Sequence, residues 1–330
     1  MNFTKLRAKI KELNNKIVAY FEKVLKLDTS AKAKRRRKKK FFIFVMLFLP
    51  ISQFLIFFVY VNIDTILLSF QRYNYISGGY DFVGFDNYKI MLRNIFELPQ
   101  MKTAIINSLW FFPVTNFITL PLSVIAAYFM FRKVPGRSVF KVLFFLPSII
   151  SIVVLTMSFQ FMFDPLFGPI NILLSKIGIE PIGGWFGNKS TVMPLILLYC
   201  IWAGIGFNMV LLNGAISRLP KEVIESARID GITMFKEFRY IIVPMIWPTI
   251  TTLFVIGTTA VFTIFLQNLL LANGGPDGAS KTIAYLVVEM VRGGNLTDAA
   301  TLGVIFTIIG IPIILFIKHF MEKIGQEVEY

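Results

Sequence analysis

The sequence predicts an all-α membrane protein with six transmembrane helices. Three observations carry that expectation. Of 330 residues, 55% are hydrophobic and only 16% are charged, where soluble domains carry about 25% charged residues. Mean hydropathy is +0.68. Six uncharged stretches approach or exceed the length of about 20 residues that a helix needs to cross the hydrocarbon core of a bilayer. Such a composition excludes an ordinary soluble enzyme and a disordered chain. The single cysteine, Cys200, leaves no intrachain disulfide, and the single histidine, His319, removes any mechanism that needs two.

The first stretch runs from Phe41 to Tyr60 and continues past Asp64 to Phe70. It is too long for the apolar region of a signal peptide and has no small-x-small cleavage site, so it reads as a span. Asn107 to Phe131, Val142 to Phe163 and Ser190 to Leu212 follow. The fifth lies within the uncharged run Tyr240 to Pro276. Pro244 and Pro248 interrupt its start, which places the span near Trp247 to Leu271. The sixth is Ala299 to Ile317. Thr282 to Val288 is apolar but too short to cross, and reads as an interfacial or re-entrant helix.

Orientation follows from lysine and arginine in the loops. Residues 1–40, 132–141, 214–240 and the tail after 317 hold 26 of the 34 basic residues. The alternate loops share eight. Both termini are therefore expected in the cytoplasm of a bacterial cell, with the chain multi-pass in its membrane. The net charge of +15 then sits on that side. In the basic tail, Leu6, Ile10, Leu13, Ile17, Phe21 and Val24 recur at helical spacing. This fits a helix lying on anionic membrane lipid, finished by the run Arg35 to Lys40. A solvated tail is the alternative. Nothing else resembles a nucleic-acid-binding module, so no nucleic-acid partner is expected.

Catalysis finds no constellation. There is no Gly-x-Ser-x-Gly elbow, no His-Glu-x-x-His pair, no metal-ligand cluster and no pair of facing acids in the spans. Asp64 is the one acid inside a span; His319 beside Lys318 fits a cation at a helix C-terminus. Cys200 reads as a small buried hydrophobe. Without a phosphate-binding loop the chain does not hydrolyse ATP by itself, so it is not expected to be an enzyme. A secondary carrier usually shows ionisable groups within its spans, and five of these six have none. The spans offer a neutral polar path, and the energy source is expected on a partner.

The segment between the fourth and fifth spans names that partner. Pro220 opens a short helix, and Glu222 and Glu225 lie near the positive end of its dipole. Val223, Ile224 and Ala227 form an apolar face, and Gly231 ends the helix at positive φ. A second short helix carries Phe235 and Phe238 before Pro244 turns the chain back. Glu225-Ser226-Ala227-x-x-Asp230-Gly231, with Phe238, Ile241 and Val243-Pro244, closely resembles the EAA loop of ABC importer permeases. Ser226 stands where that family has Ala, and Val243 where it has Leu. The resemblance implies that Glu225, Ser226, Ala227, Asp230 and Gly231 form the coupling contact with an ATPase subunit.

Three further stretches resemble the carbohydrate-uptake branch of that family: Phe82-Val-Gly-Phe-Asp-Asn-Tyr88, Ile201-Trp-Ala-Gly-Ile-Gly-Phe-Asn208 and Asn273-Gly-Gly-Pro276. The last is typical of the larger maltose-permease type. The resemblance implies the type I ABC importer permease fold over 41–320, with the coupling loop at 218–240, a basic extension at 1–40 and a tail at 321–330. It implies a second homologous permease, two ATPase subunits that bind ATP and Mg, and an extracytoplasmic solute-binding protein. No cofactor is expected on this chain.

A sugar needs matched hydrogen bonds and an aromatic face. The fourth span offers Trp202, Gly204, Gly206, Phe207 and Asn208; the fifth offers Thr259, Phe262, Thr263, Gln267 and Asn268. Thr259, Thr263 and Gln267 recur every fourth residue, which predicts one shared helix face. Helix–helix packing is the competing role for each of these residues. The alternatives to a sugar permease are a permease for another solute, such as a glycerophosphodiester, and a stand-alone carrier.

Overall fold

The computed structural model describes residues 11–12, 15–16, 31–132, 134–178 and 184–325. Leu6, Ile10, Leu13, Ile17, Phe21 and Val24, the residues of the amphipathic pattern, lie outside the described residues, as do residues 326–330. The chain divides into two units, Met1–Thr65 and Ile66–Tyr330.

The first helical run, α1 (Ala31–Gln53), passes into a π-helical stretch, Phe54–Tyr60, and then into α2 (Val61–Ser69), within which the unit boundary falls. Arg35–Ser69 is long and apolar enough to cross a membrane. The span thus continues past Asp64, as its sequence suggests. Arg35 to Lys40 are exposed and belong to the same helix as the apolar residues that follow.

In the second unit the end of α2 is followed by a hairpin, β1 (Gln71–Asn74) paired antiparallel with β2 (Gly79–Phe82), which is the departure from an all-α chain. The Phe82 to Tyr88 motif fastens it. The Asn87 side chain is buried and donates to the carbonyls of Ser69 and Gln71, and Arg72 donates to its amide oxygen. After α3 (Asp86–Glu97) comes the second span, α4 (Pro99–Pro113), a π-helical stretch Val114–Thr119, and α5 (Leu120–Phe131).

The third span is not a single rod. α6 (Arg137–Ile149) and α7 (Ile152–Met162) meet at 113°. Pro147 weakens the end of α6, and Ile150 and Ser151 take extended ψ values of 143° and 135°. A short α8 (Pro169–Lys176) leads to the fourth span, α9 (Val192–Ile216). The 218–240 loop forms α10 (Lys221–Ile229) and α11 (Met234–Glu237), then a π-helical stretch Phe238–Ile242 and α12 (Val243–Met245). Pro220 is the residue before the helix rather than its first.

The fifth span, α13 (Trp247–Thr263), ends earlier than expected. Ile264 and Phe265 are non-helical, and the chain restarts as α14 (Leu266–Ala272). A carbonyl freed by such a break needs a new donor. Thr282 supplies it, its hydroxyl donating to the Ile264 carbonyl at 2.7 Å. The short apolar patch after it forms α15 (Ile283–Arg292), capped by the Thr282 side chain. The last span is α16 (Leu296–Gly325). Among the described residues, four helices are long and apolar enough to cross a membrane, and counting each bent pair as one span gives six.

Two apolar clusters frame the site. One gathers Tyr128, Leu212, Ile216, Ile224, Ile242 and Ile246 beneath the 218–240 loop. The other gathers Phe111, Leu155, Phe159, Tyr199 and Leu271 near the breaks in the third and fifth spans.

Candidate functional site

The breaks and the π-helical stretch open a cavity of about 410 Å³ among spans two to five. The fourth span supplies Tyr199, Cys200, Ala203, Gly204, Phe207 and Asn208. These are adjacent pairs repeating every four residues, which is one face of an α-helix. The second span supplies Thr115 and Thr119 from its π-helical stretch, and the broken third span supplies Ser148 and Ile150. Gly257 and Ala260 come from α13, and Gln267 from α14 beyond the break. Irregular backbone at membrane depth is tolerated where it lines a cavity.

The polar groups divide into two sets. Thr115 donates to the carbonyls of Phe111 and Gly257, Thr119 to that of Val114, and Ser148 to that of Phe145. These hydroxyl protons are committed to backbone. The amides of Asn208 and Gln267 make no hydrogen bond among the described residues. Among the described residues, no charged side chain lines the cavity. The Phe207 side chain, 53% exposed, offers a ring face. The arrangement suits an uncharged, hydroxyl-rich solute.

Of the residues expected on the pathway, Gly204, Phe207, Asn208 and Gln267 meet here. Others do not. The Trp202 ring stacks on Phe159, with centroids 5.9 Å apart. Gly206 is buried, and a β-carbon there would strike the carbonyl of Phe144, so it lets α6 pack against α9. Asn268 is wholly buried and donates to the Ser280 carbonyl, anchoring the loop that follows. Thr259 and Thr263 line a separate cavity with Phe262, Val287 and Thr307, and their hydroxyls donate to backbone of their own helix. The expected common face of Thr259, Thr263 and Gln267 does not form, because the break at Ile264 and Phe265 turns α14 away from α13. Tyr199, Thr115, Thr119 and Ser148 were missed. The recurrence of cavity-lining positions along the fourth span was the available signal for Tyr199.

The second site is the 218–240 elbow. Gly231 has φ +77° and closes α10. Its N–H reaches the Arg228 carbonyl and that of Ile232 reaches the Ala227 carbonyl, the paired bonds of a Schellman cap. Ile224 is buried in the core below. Glu225, Ser226 and Asp230 are exposed, and Ile229 and Phe235 present large apolar surface at 86% and 73% exposure. Glu237 was missed by the sequence reading. It is wholly buried and pairs with Arg132 and Arg228 at 2.9 Å each. Burial alone would raise its carboxyl. The hydrogen bonds and charge of Arg228, the charge of Arg132 and the Tyr128 hydroxyl outweigh that and hold it below the usual carboxylate range.

Residues 119–330 match the family described as binding-protein-dependent transport system inner membrane components. The chain is 29% identical over 263 residues to the arabinooligosaccharides transport system permease protein AraP of Bacillus subtilis, covering 78% of this chain and 82% of that one. It is 28% identical over 245 residues to the diacetylchitobiose uptake system permease protein NgcF of Streptomyces coelicolor, covering 71% and 69%. The fold is similar to a chain in the crystal structure of a bacterial ABC transporter involved in the import of the acidic polysaccharide alginate, with a TM-score of 0.75 and 25% identity, over 89% of this chain and 99% of that one. In this family ATP hydrolysis belongs to a separate subunit. With the matched segment running from the second span to the C-terminal end, the chain belongs to the binding-protein-dependent transport system inner membrane components, the multi-pass permeases of ABC importers.

Proposed function

We propose that this chain forms half of the translocation path of an ATP-driven importer for a neutral sugar or short oligosaccharide. One observation carries the reading: among the described residues, two amides without protein partners, Asn208 and Gln267, line a cavity that no charged side chain enters. Sugar hydroxyls donate and accept, and a side-chain amide answers both. Phe207 offers a face for a sugar ring. A phosphorylated or acidic solute calls for arginine or lysine, and neither is among the described lining residues. The relatives AraP and NgcF, named for arabinooligosaccharides and diacetylchitobiose, support the same class.

Both termini and the 218–240 loop lie in the cytoplasm, an orientation supported by the basic residues of the loops. The elbow docks on an ATPase subunit through Glu225, Ser226, Asp230, Ile229 and Phe235, while Ala227 and Gly231 hold its cap. A second permease completes the cavity, a second ATPase subunit serves that permease, and an extracytoplasmic binding protein delivers the solute. ATP on the partner biases an equilibrium between inward- and outward-open states.

Purification of the tagged chain under mild solubilisation tests this. A second permease and an ATPase should co-purify, and ATP turnover should rise with a binding protein loaded with a neutral sugar. Stimulation confined to acidic or phosphorylated solutes would replace the neutral-sugar reading.

A further inference from the structure

One carboxylate ties the elbow to the second span. Glu237, at the end of α11, has no exposed surface. Its Oε2 accepts from Arg132 Nη1 and Arg228 Nε, and its Oε1 from Arg228 Nη2, each at 2.9 Å. The Tyr128 hydroxyl stands 3.2 Å from Oε1 and 3.1 Å from the Met234 carbonyl. Arg132 and Tyr128 belong to the end of the second span, and Arg228 to α10. Both short helices of the elbow and the end of the second span, 105 residues away in sequence, therefore close on a single charge. The Tyr128 ring packs on Phe238, with centroids 5.1 Å apart.

We infer that Glu237 is a positioning residue that makes the elbow and the second span move as one body. The inference rests on the reading of 218–240 as the coupling loop. A helix transmits displacement along its axis. Arg132 lies 13 residues beyond Thr119, a cavity residue, so the link spans about 20 Å at about 1.5 Å per residue. The π-helical stretch Val114–Thr119 ends there, and such stretches occur frequently at functional sites. Without Glu237, two part-exposed guanidinium groups, their side chains 30% and 42% exposed, would stand side by side without a counter-charge, and the elbow would lose its polar hold on the span. The apolar contacts of Ile224 and Ile242 would still fasten the loop to the protein.

Cys200 supplies a readout that needs no identified solute. It is the only cysteine of the chain and lines the cavity. The assembled importer, reconstituted in lipid, is treated with N-ethylmaleimide with and without ATP and vanadate. Alkylation of the Cys200 peptide is then measured by mass spectrometry. In the wild type the rate should change with nucleotide. In Arg132→Gln and Glu237→Gln the ATPase should still co-purify, while the nucleotide-dependent change shrinks at least about fivefold, the low end of an allosteric coupling. Arg132→Lys should restore part of it. Variants that respond like the wild type overturn the inference. So do variants that lose the response only because the ATPase no longer co-purifies, since Glu237 would then serve assembly. A wild-type complex with no ATPase or no nucleotide response removes the coupling reading, and the inference with it.

Discussion

Thr263 and Gln267, four residues apart, face two different cavities. The two non-helical residues between them turn the chain, so Gln267 joins Asn208 while Thr263 remains on a lateral surface whose hydroxyls are bonded to backbone. Gln267→Leu should weaken the solute's effect on ATP turnover. One lost hydrogen bond is worth about 1 kcal/mol, or roughly fivefold in half-saturating concentration. Thr263→Val should change it much less. The reverse order would move the binding surface to the lateral cavity.

Gly206 marks where helix packing, rather than solute, sets residue identity. The atom that a β-carbon would meet is a backbone carbonyl, which cannot rotate aside. Gly206→Ala should therefore force α6 away from α9 and destabilise the protein by about 1–3 kcal/mol, as overpacking does. Gly214, on the same helix, has open space around its would-be β-carbon. Gly214→Ala should be stabilising by roughly 0.5–1 kcal/mol, the ordinary gain of alanine over glycine within a helix. Thermal unfolding of both variants in one detergent checks the contrast.

These two cases show which parts of the fold were legible in the sequence. Uncharged length gave the spans, because crossing a bilayer is a requirement on a continuous stretch. Gly231 was legible because its positive φ is a property of one residue next to a helix end. The break at Ile264 was not, because the group that satisfies it, Thr282, lies 18 residues away. Glu237 was hidden for the same reason. Its partners stand nine and 105 residues distant, and nothing in the run Phe235 to Tyr240 announces a buried acid. On the fourth span the glycine and aromatic content pointed to the right helix, but only the three-dimensional neighbours separate Asn208, facing the cavity, from Trp202 and Gly206, facing protein.

The elbow's cap makes a different demand. No atom lies within 4 Å of a β-carbon built on Gly231, so its constraint is conformational rather than steric. Gly231→Val should cost about 1–2 kcal/mol for left-handed backbone and loosen the end of α10. Gly231→Asn should cost less, since asparagine visits that region more readily. The expected readout is the fraction of ATPase retained on purification, falling in the order glycine, asparagine, valine. Equal retention in all three would mean that the cap does not shape the docking surface.

Acid should release the elbow only below the ordinary carboxylate value of 4.5. The Glu237 carboxyl is held below its ordinary value of 4.5 because the two arginines and Tyr128 outweigh the effect of burial. A carboxyl depressed by folding stabilises the fold fully above its ordinary value, and that contribution is lost as pH falls through the folded value. From neutral pH down to 4.5 the pairing of Glu237 with Arg132 and Arg228 should therefore stay intact. Amide hydrogen exchange across α10 and α11, corrected for the intrinsic rate, should show constant protection over that range and a decline only beneath it. Glu237→Gln should show reduced protection at neutral pH, with no acid transition from this site. If wild-type protection fell well above 4.5, the carboxylate would not be the group that holds the elbow, and the arginines would need another partner.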